Sequence, residues 1–193
     1  MWLNLSSAPA ETPVTLAEAK AHLRVLYDHD DDTITALIAA ATGLLDGRHG
    51  ILGRALVTQS WEFRLNGFPH CAKLELPLPP LRSVTSVKYI DPAGDEQTLS
   101  TDDYVVDAAT YVGQIRLGYE KAWPATRCED HAVRIIFAAG FGAGSEVPMA
   151  LRQAMLLMIG HWYANREAVS ETSLSEVPMA AKWLFAPYRI QAF

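Results

Sequence analysis

The stretch VPMALRQAMLLMIGHWYANREA, residues 147–168, reads as a helix without a consistently wet side. Leu151, Met155, Met158 and Trp162 form one stripe, Leu156, Ile159 and Tyr163 a second, and Ala150, Ala154 and Leu157 a third. A helix apolar nearly all round has to be buried nearly all round. A chain of 193 residues can surround such a helix only in part, so a neighbouring subunit is the natural source of the remaining cover. A second apolar run, VPMAAKWLFAPYR at 177–189, follows it. Its Pro178 suits a helical first turn, where a missing N–H costs nothing. Pro187 ends that helix and leaves an aromatic tail to Phe193, expected to dock on another subunit or another protein.

Working outward from these helices, the N-terminal third is also helical. Thr15 and Glu18 stand at capping-box spacing, and a short helix to about Val25 should bury Leu16, Ala19 and Leu23. Asp30, Asp31 and Asp32 sit where a second helix begins, their charge favouring the positive end of its dipole. Ile34, Leu37, Ile38, Ala41, Leu44 and Leu45 give that helix an apolar stripe that ends near Gly47.

Between the helical parts the period changes to two. Trp61, Phe63 and Leu65 alternate with Glu62 and Arg64, the pattern of a strand with one buried face. Further short strands are expected at 74–76, 84–90, 97–99, 104–107, 113–117 and 132–138, with turn chemistry in DPAG at 91–94. The expected fold class is therefore α+β: a helical bundle formed by the N- and C-terminal helices, with an inserted region of short antiparallel β-strands. The corresponding parts are 1–54, 55–144 and 145–193, with 1–12 and 170–176 as the expected mobile stretches.

Composition narrows the function. Half the residues are apolar, so a sizeable core is available, and no window approaches the apolar length of a membrane span. The N-terminus has neither a basic start nor an apolar stretch, so no secretory signal is expected and synthesis in the cytoplasm is. Cys71 and Cys128, two and far apart, read as reduced, partly buried thiols, with a disulfide between them as the alternative. With 16 Lys and Arg against 22 Asp and Glu, and no basic run, tight DNA binding is disfavoured.

Chemistry-bearing patterns are sparse. FAAGFGAGS at 137–145 has a strand, a glycine turn and a following helix, the layout of a phosphate loop. It lacks the third glycine of a dinucleotide fingerprint and the Gly-Lys-Ser/Thr of a triphosphate site, and Glu146 and Pro148 oppose an anion there. No serine, Ser145 included, has a nucleophile-elbow context, His161 lies beside Trp162 in an apolar helix, and Cys71 beside His70 sits in a proline-flanked loop where adjacent residues rarely share one reacting atom. The six histidines make no paired metal-ligand spacing, and the acidic cluster 28–32 lacks the calcium-loop glycine and glutamate. No catalytic residue, cofactor or metal is expected. Trp162, Tyr163, Arg166, Trp183, Phe185, Tyr188, Arg189 and Phe193 are the candidate interface residues, each open to an alternative role in the core.

Several segments in order carry a resemblance: TLAEAKAHLR at 15–24, TQSWEF at 58–63, LPPLRSV at 78–84, YIDPAG at 89–94 and FAAGFG at 137–142. The series continues with VPMALRQ at 147–153, HWYANRE at 161–167 and APYR at 186–189. Together they resemble the head–tail connector (adaptor) proteins of long-tailed bacteriophages, prophages and phage-derived gene transfer agents. The resemblance implies a non-enzymatic structural protein at the head–tail junction of a virion or phage-like particle. It implies a ring, typically of twelve copies, that binds the portal protein above and a stopper or tail-completion protein below. DNA would be passing cargo, and no membrane is involved. The resemblance also implies a helical core, although the β region here is larger than in compact all-helical members. Two other classes stay open: a packaging or head-completion factor that touches DNA directly, and a small nucleotide-binding enzyme.

Overall fold

The computed structural model describes residues 2–165 and 178–190. They form two compact units, one of residues 2–10 and 58–141, the other of 11–57, 142–165 and 178–190.

The first unit is built of strands. β1 (Trp2–Ser7), β2 (Gln59–Leu65), β4 (Leu81–Ile90), β5 (Glu96–Thr98) and β8 (Val133–Ala139) make a five-stranded sheet in the order β1-β2-β8-β4-β5. β3 (Lys73–Glu75), β6 (Tyr104–Asp107) and β7 (Gln114–Leu117) make a second sheet in the order β3-β7-β6. Every pairing is antiparallel. Period-two alternation explains the core. In β8, Val133, Ile135, Phe137 and Ala139 are buried while the residues between them are not, and β2 buries Gln59, Trp61 and Phe63 in the same way. Register sets Trp61 opposite Phe137 and Phe63 opposite Ile135, so these side chains stack on one face. Each fully buried large side chain contributes about 1.5–3 kcal/mol. Gly113 is required beside this core: a Cβ there would lie 2.2 Å from the Leu81 Cβ.

The second unit holds α1 (Leu16–Leu23), α2 (Asp31–Leu45), α3 (Met149–Ala164) and α4 (Met179–Phe185), followed by a single 3-10 turn (Ala186–Tyr188). The capping box at Thr15 forms as expected, with the Glu18 N–H on the Thr15 hydroxyl and the Thr15 N–H on the Glu18 carboxylate at 2.9 Å. α1 ends at Arg24, which adopts left-handed φ 58°. α2 buries Ile34, Ile38, Ala41 and Leu45, and α3 buries Leu151, Ala154, Met155, Met158 and Ile159. α3 is thus buried along one stripe rather than all round: Leu156, Leu157, Trp162 and Tyr163 are half-buried. α3 packs on α1, α2 and α4.

The expected fold class needs correction. Four short helices, of 8, 15, 16 and 7 residues, accompany eight strands in two antiparallel sheets. The fold is not a bundle of terminal helices carrying a β insertion. The reason lies in residues 2–7, expected to be mobile. WLNLSS is the edge strand of the larger sheet, with Trp2 opposite Arg64 and Leu5 opposite Trp61. The chain therefore begins in a sheet that has its own core, and α1 and α2 lie between its first two strands in sequence.

Glu18 gives the first testable consequence. Its carboxylate holds the Thr15 N–H and also accepts from Arg152 of α3, whose Nε donates to the Pro13 carbonyl at 3.1 Å. The Thr15 backbone N–H, and then Arg152, lower its pKa from the ordinary 4.5. A depressed carboxylate stabilises the fold above its unfolded pKa, and that contribution disappears as pH falls through the folded value. Glu18→Ala should cost about 1 kcal/mol at neutral pH, the size of a lost cap. The gap between variant and parent should shrink below pH 4.5, as read by thermal melts across pH. An undiminished gap at low pH would mean that the carboxylate's charge contributes nothing.

Candidate assembly interface

Of the eight residues proposed from sequence, the six that are described differ in burial. Tyr163 is half-buried near the end of α3, and its hydroxyl donates to the carboxylate of Asp30, the residue preceding α2. Trp162 beside it is also half-buried. Phe185 is only 8% exposed and lies, with Ala181, on the buried face of α4. Arg166 and Phe193 lie outside the described residues.

The last described residues belong to the unit's own framework. Arg54, 6% exposed, donates through Nε to the Tyr188 carbonyl. The Ile190 N–H donates to the Leu52 carbonyl at 2.9 Å, and the Ile190 side chain lies against Gly53. Gly53 has φ 63°, a left-handed conformation that glycine adopts without cost. Tyr188 is half-buried and the Arg189 side chain is exposed.

What remains outward is the far face of α4. Trp183 is 74% exposed and Met179, one turn earlier, 67%. At i and i+4 these two are neighbours on one helix face. A surface tryptophan with a methionine beside it is the composition of an interface anchor. The sequence reading did not single out Val105 and Val106 of β6, or Tyr111 and Tyr119 in the turns beside the second sheet, all of which are exposed. A signal was present: two adjacent valines break the alternation that marks a strand with one buried face.

The features that could have supported catalysis are engaged in structure. In the glycine-rich turn, Ala143 N–H donates to the Glu146 carboxylate at 2.7 Å and Gly144 N–H to the Glu11 carboxylate at 2.8 Å. The chain's own carboxylates therefore take the donors that a phosphate would use. In the acidic cluster, Lys20 lies 2.6 Å from both Asp28 and Asp31 and supplies the cation itself. Asp28, the exposed partner, has its pKa lowered by Lys20. Among the described residues no group of His, Cys, Asp and Glu could hold a metal ion.

Cys71 and Cys128 are free and exposed, not partly buried as expected, because both lie in loops between strands. Cys71 donates to the Lys73 carbonyl at 3.1 Å, and lines an apolar cavity of about 360 Å³ with Phe63, Leu65 and Leu74. Lys73 at the same cavity pairs with Glu75 at 3.2 Å. Ser145 is exposed and His161 half-buried, its carbonyl accepting from Asn165 at 2.8 Å.

A cationic row does cross the larger sheet, since register places Arg64, Arg134 and Lys88 side by side on β2, β8 and β4. Acids neutralise it. Arg64 pairs with Glu62 at 2.9 Å, and Glu96 takes Arg134 at 2.6 Å and Lys88 at 2.7 Å. Arg64 also lies over the Trp2 ring, 4.9 Å from its centroid. Such a row offers few uncompensated charges to a phosphate backbone.

No family model matches the sequence, and no curated protein matches it. Solved structures do. A chain in the neck of an empty gene transfer agent (GTA) particle, computed with C6 symmetry, superposes with a TM-score of 0.78 at 24% identity. A chain in the virion of a native GTA particle gives 0.74, and one in the neck of a native GTA particle computed with C12 symmetry gives 0.71, both at 24% identity. Each match covers 100% of this chain and 98% of the other. From end to end, then, this chain has the fold of a protein found in the neck of gene transfer agent particles.

Proposed function

We propose that the chain is a structural head–tail adaptor of a phage or phage-like particle, most simply a gene transfer agent. It forms a ring of twelve copies under the portal protein and joins the DNA-filled head to a stopper or tail-completion protein. The observation that carries this reading is the full-length match to neck chains in structures computed with C6 and C12 symmetry. The outward Trp183 and Met179 supply an apolar surface that a ring or portal contact would cover. The carboxylate-filled glycine turn speaks against a nucleotide enzyme.

Deleting the gene should leave heads that are filled with DNA but untailed, or that leak DNA, in electron micrographs. Tailed, infectious or transducing particles at parental yield would contradict the proposal.

The competing packaging factor would grip DNA. With the cationic row of the larger sheet paired to acids and 22 acids against 16 bases, the purified chain should give no gel-shift complex below micromolar concentration at low salt. A nanomolar complex that weakens steeply with added salt would favour direct DNA contact instead.

A further inference from the structure

The chain has three asparagines, Asn4, Asn66 and Asn165, and of these Asn66 alone precedes a glycine. Asn4 lies inside the paired strand β1, opposite Glu62. Asn165 closes α3, and its side chain donates to the His161 carbonyl at 2.8 Å. Asn66 is exposed, one residue beyond the end of β2, and its amide latches that end to the residues leading into β8. Its Nδ2 donates to the Asp130 carboxylate at 2.8 Å, and its Oδ1 accepts the His131 N–H at 3.1 Å. His131 has φ 65°, a left-handed conformation that is costly for a residue with a Cβ, and the bond to Asn66 supports it. An amide serves both neighbours because it offers a donor to one and an acceptor to the other. Gly67, by contrast, is not demanded by the fold. Its φ is not left-handed, and a Cβ there would meet only the Thr126 Oγ1, at 3.4 Å, an ordinary van der Waals contact.

Glycine has no Cβ to hinder the approach of its backbone nitrogen to the side chain before it. We infer that Asn66 is a site of spontaneous deamidation, and that its conversion opens this latch. The Gly67 nitrogen gives up its proton and attacks Cγ of Asn66. The new Cγ–N bond forms, the Cγ–Nδ2 bond breaks, and ammonia leaves with that proton, so a cyclic imide remains. Water then adds to either carbonyl carbon of the imide and breaks its bond to nitrogen. Opening at Cγ gives aspartate, and opening at the main-chain carbonyl gives isoaspartate, with the chain routed through the side-chain carbon. The sum is asparagine and water to aspartate or isoaspartate and ammonia, with no oxidation or reduction. In the aspartate product, Asp130 faces a second carboxylate instead of a donor, and like charges repel. In the isoaspartate product, the added backbone carbon displaces the partners of Asp130 and His131 together. Nothing in this chemistry requires the ring proposed above.

Peptide mapping by mass spectrometry of the folded wild-type chain, incubated at mildly alkaline pH, reads the site directly. The mass gain of amide-to-acid conversion and the isoaspartate product should accumulate at Asn66 at least tenfold faster than at Asn4 or Asn165. Gly67→Ala should keep the parental circular dichroism and melting temperature, and slow conversion at Asn66 at least tenfold. Asn66→Asp reproduces the aspartate product. It should lower the melting temperature, and the His131 amide should exchange with solvent at least fivefold faster than in the parent. Should Gly67→Ala fail to fold, the wild-type comparison of the three asparagines decides the site, and Asn66→Asp decides the latch. Conversion at Asn66 no faster than at Asn4 and Asn165, or undiminished in a folded Gly67→Ala chain, overturns the site. An Asn66→Asp chain that melts and exchanges like the parent overturns the opening of the latch.

Discussion

Trp183→Glu should leave the free chain folded and still deplete it from assembled particles. The side chain is 74% exposed and sits with Met179 on the outward face of α4, so its removal takes little from the core. Surface substitutions of this kind change stability by no more than about 0.5 kcal/mol. A central aromatic anchor, by contrast, is worth about 2 kcal/mol or more to an interface, which is roughly a thirtyfold change in affinity. The expected result is an unchanged melting curve with incorporation down by about that factor, measured by quantitative blotting of purified particles. Incorporation at the parental level would show that Trp183 faces solvent in the particle. The α4 face would then have no part in assembly.

Arg54→Ala should act in the opposite way, on stability before assembly. The guanidinium is buried and donates to the Tyr188 carbonyl, so its loss removes packing and a donor from a part-buried acceptor. A buried group deprived of its partner costs about 1–3 kcal/mol. For a chain of this size that corresponds to a fall of roughly 3–10 °C in melting temperature. Truncation after Pro187 should push in the same direction, because it removes the Tyr188 carbonyl and the Ile190 N–H that bonds to Leu52. This replaces the sequence-based expectation that residues 188–193 dock elsewhere and contribute little to the core. A truncated chain that melts like the parent would restore that expectation.

Much of the local structure was legible because single residues with strong preferences mark it. Thr15 and Glu18 fix the start of α1, Asp31 opens α2, and the alternation of Trp61 and Phe63 with Glu62 and Arg64 sets β2. β1 is not legible in the sequence because only Leu3 and Leu5 alternate, with Trp2 adjacent to Leu3 and polar serines following. Their strand character comes from pairing with Gln59–Leu65, more than fifty positions away in sequence. That one omission turned a two-sheet fold into an apparent helical bundle.

The interface residues divided for a related reason. An aromatic side chain reads the same in a sequence whether it lies in the core, as Phe185 does, or outward, as Trp183 does. Helical phase cannot resolve them until the buried face is known, and here Ala181 and Phe185 define it. In the glycine turn, Glu146 and Pro148 already oppose phosphate from the sequence alone. The second carboxylate, Glu11, enters from a distant part of the chain and could not be anticipated.

The proposed ring of this chain in the neck of a phage-like particle is open to direct observation. The most direct measurement is a cryo-electron microscopy reconstruction of necks from particles made with the tagged chain. Density for this fold should repeat in a closed ring between portal and tail, with the far face of α4 covered. Particles whose necks lack the chain, or that carry it as isolated copies away from the head–tail junction, would contradict it.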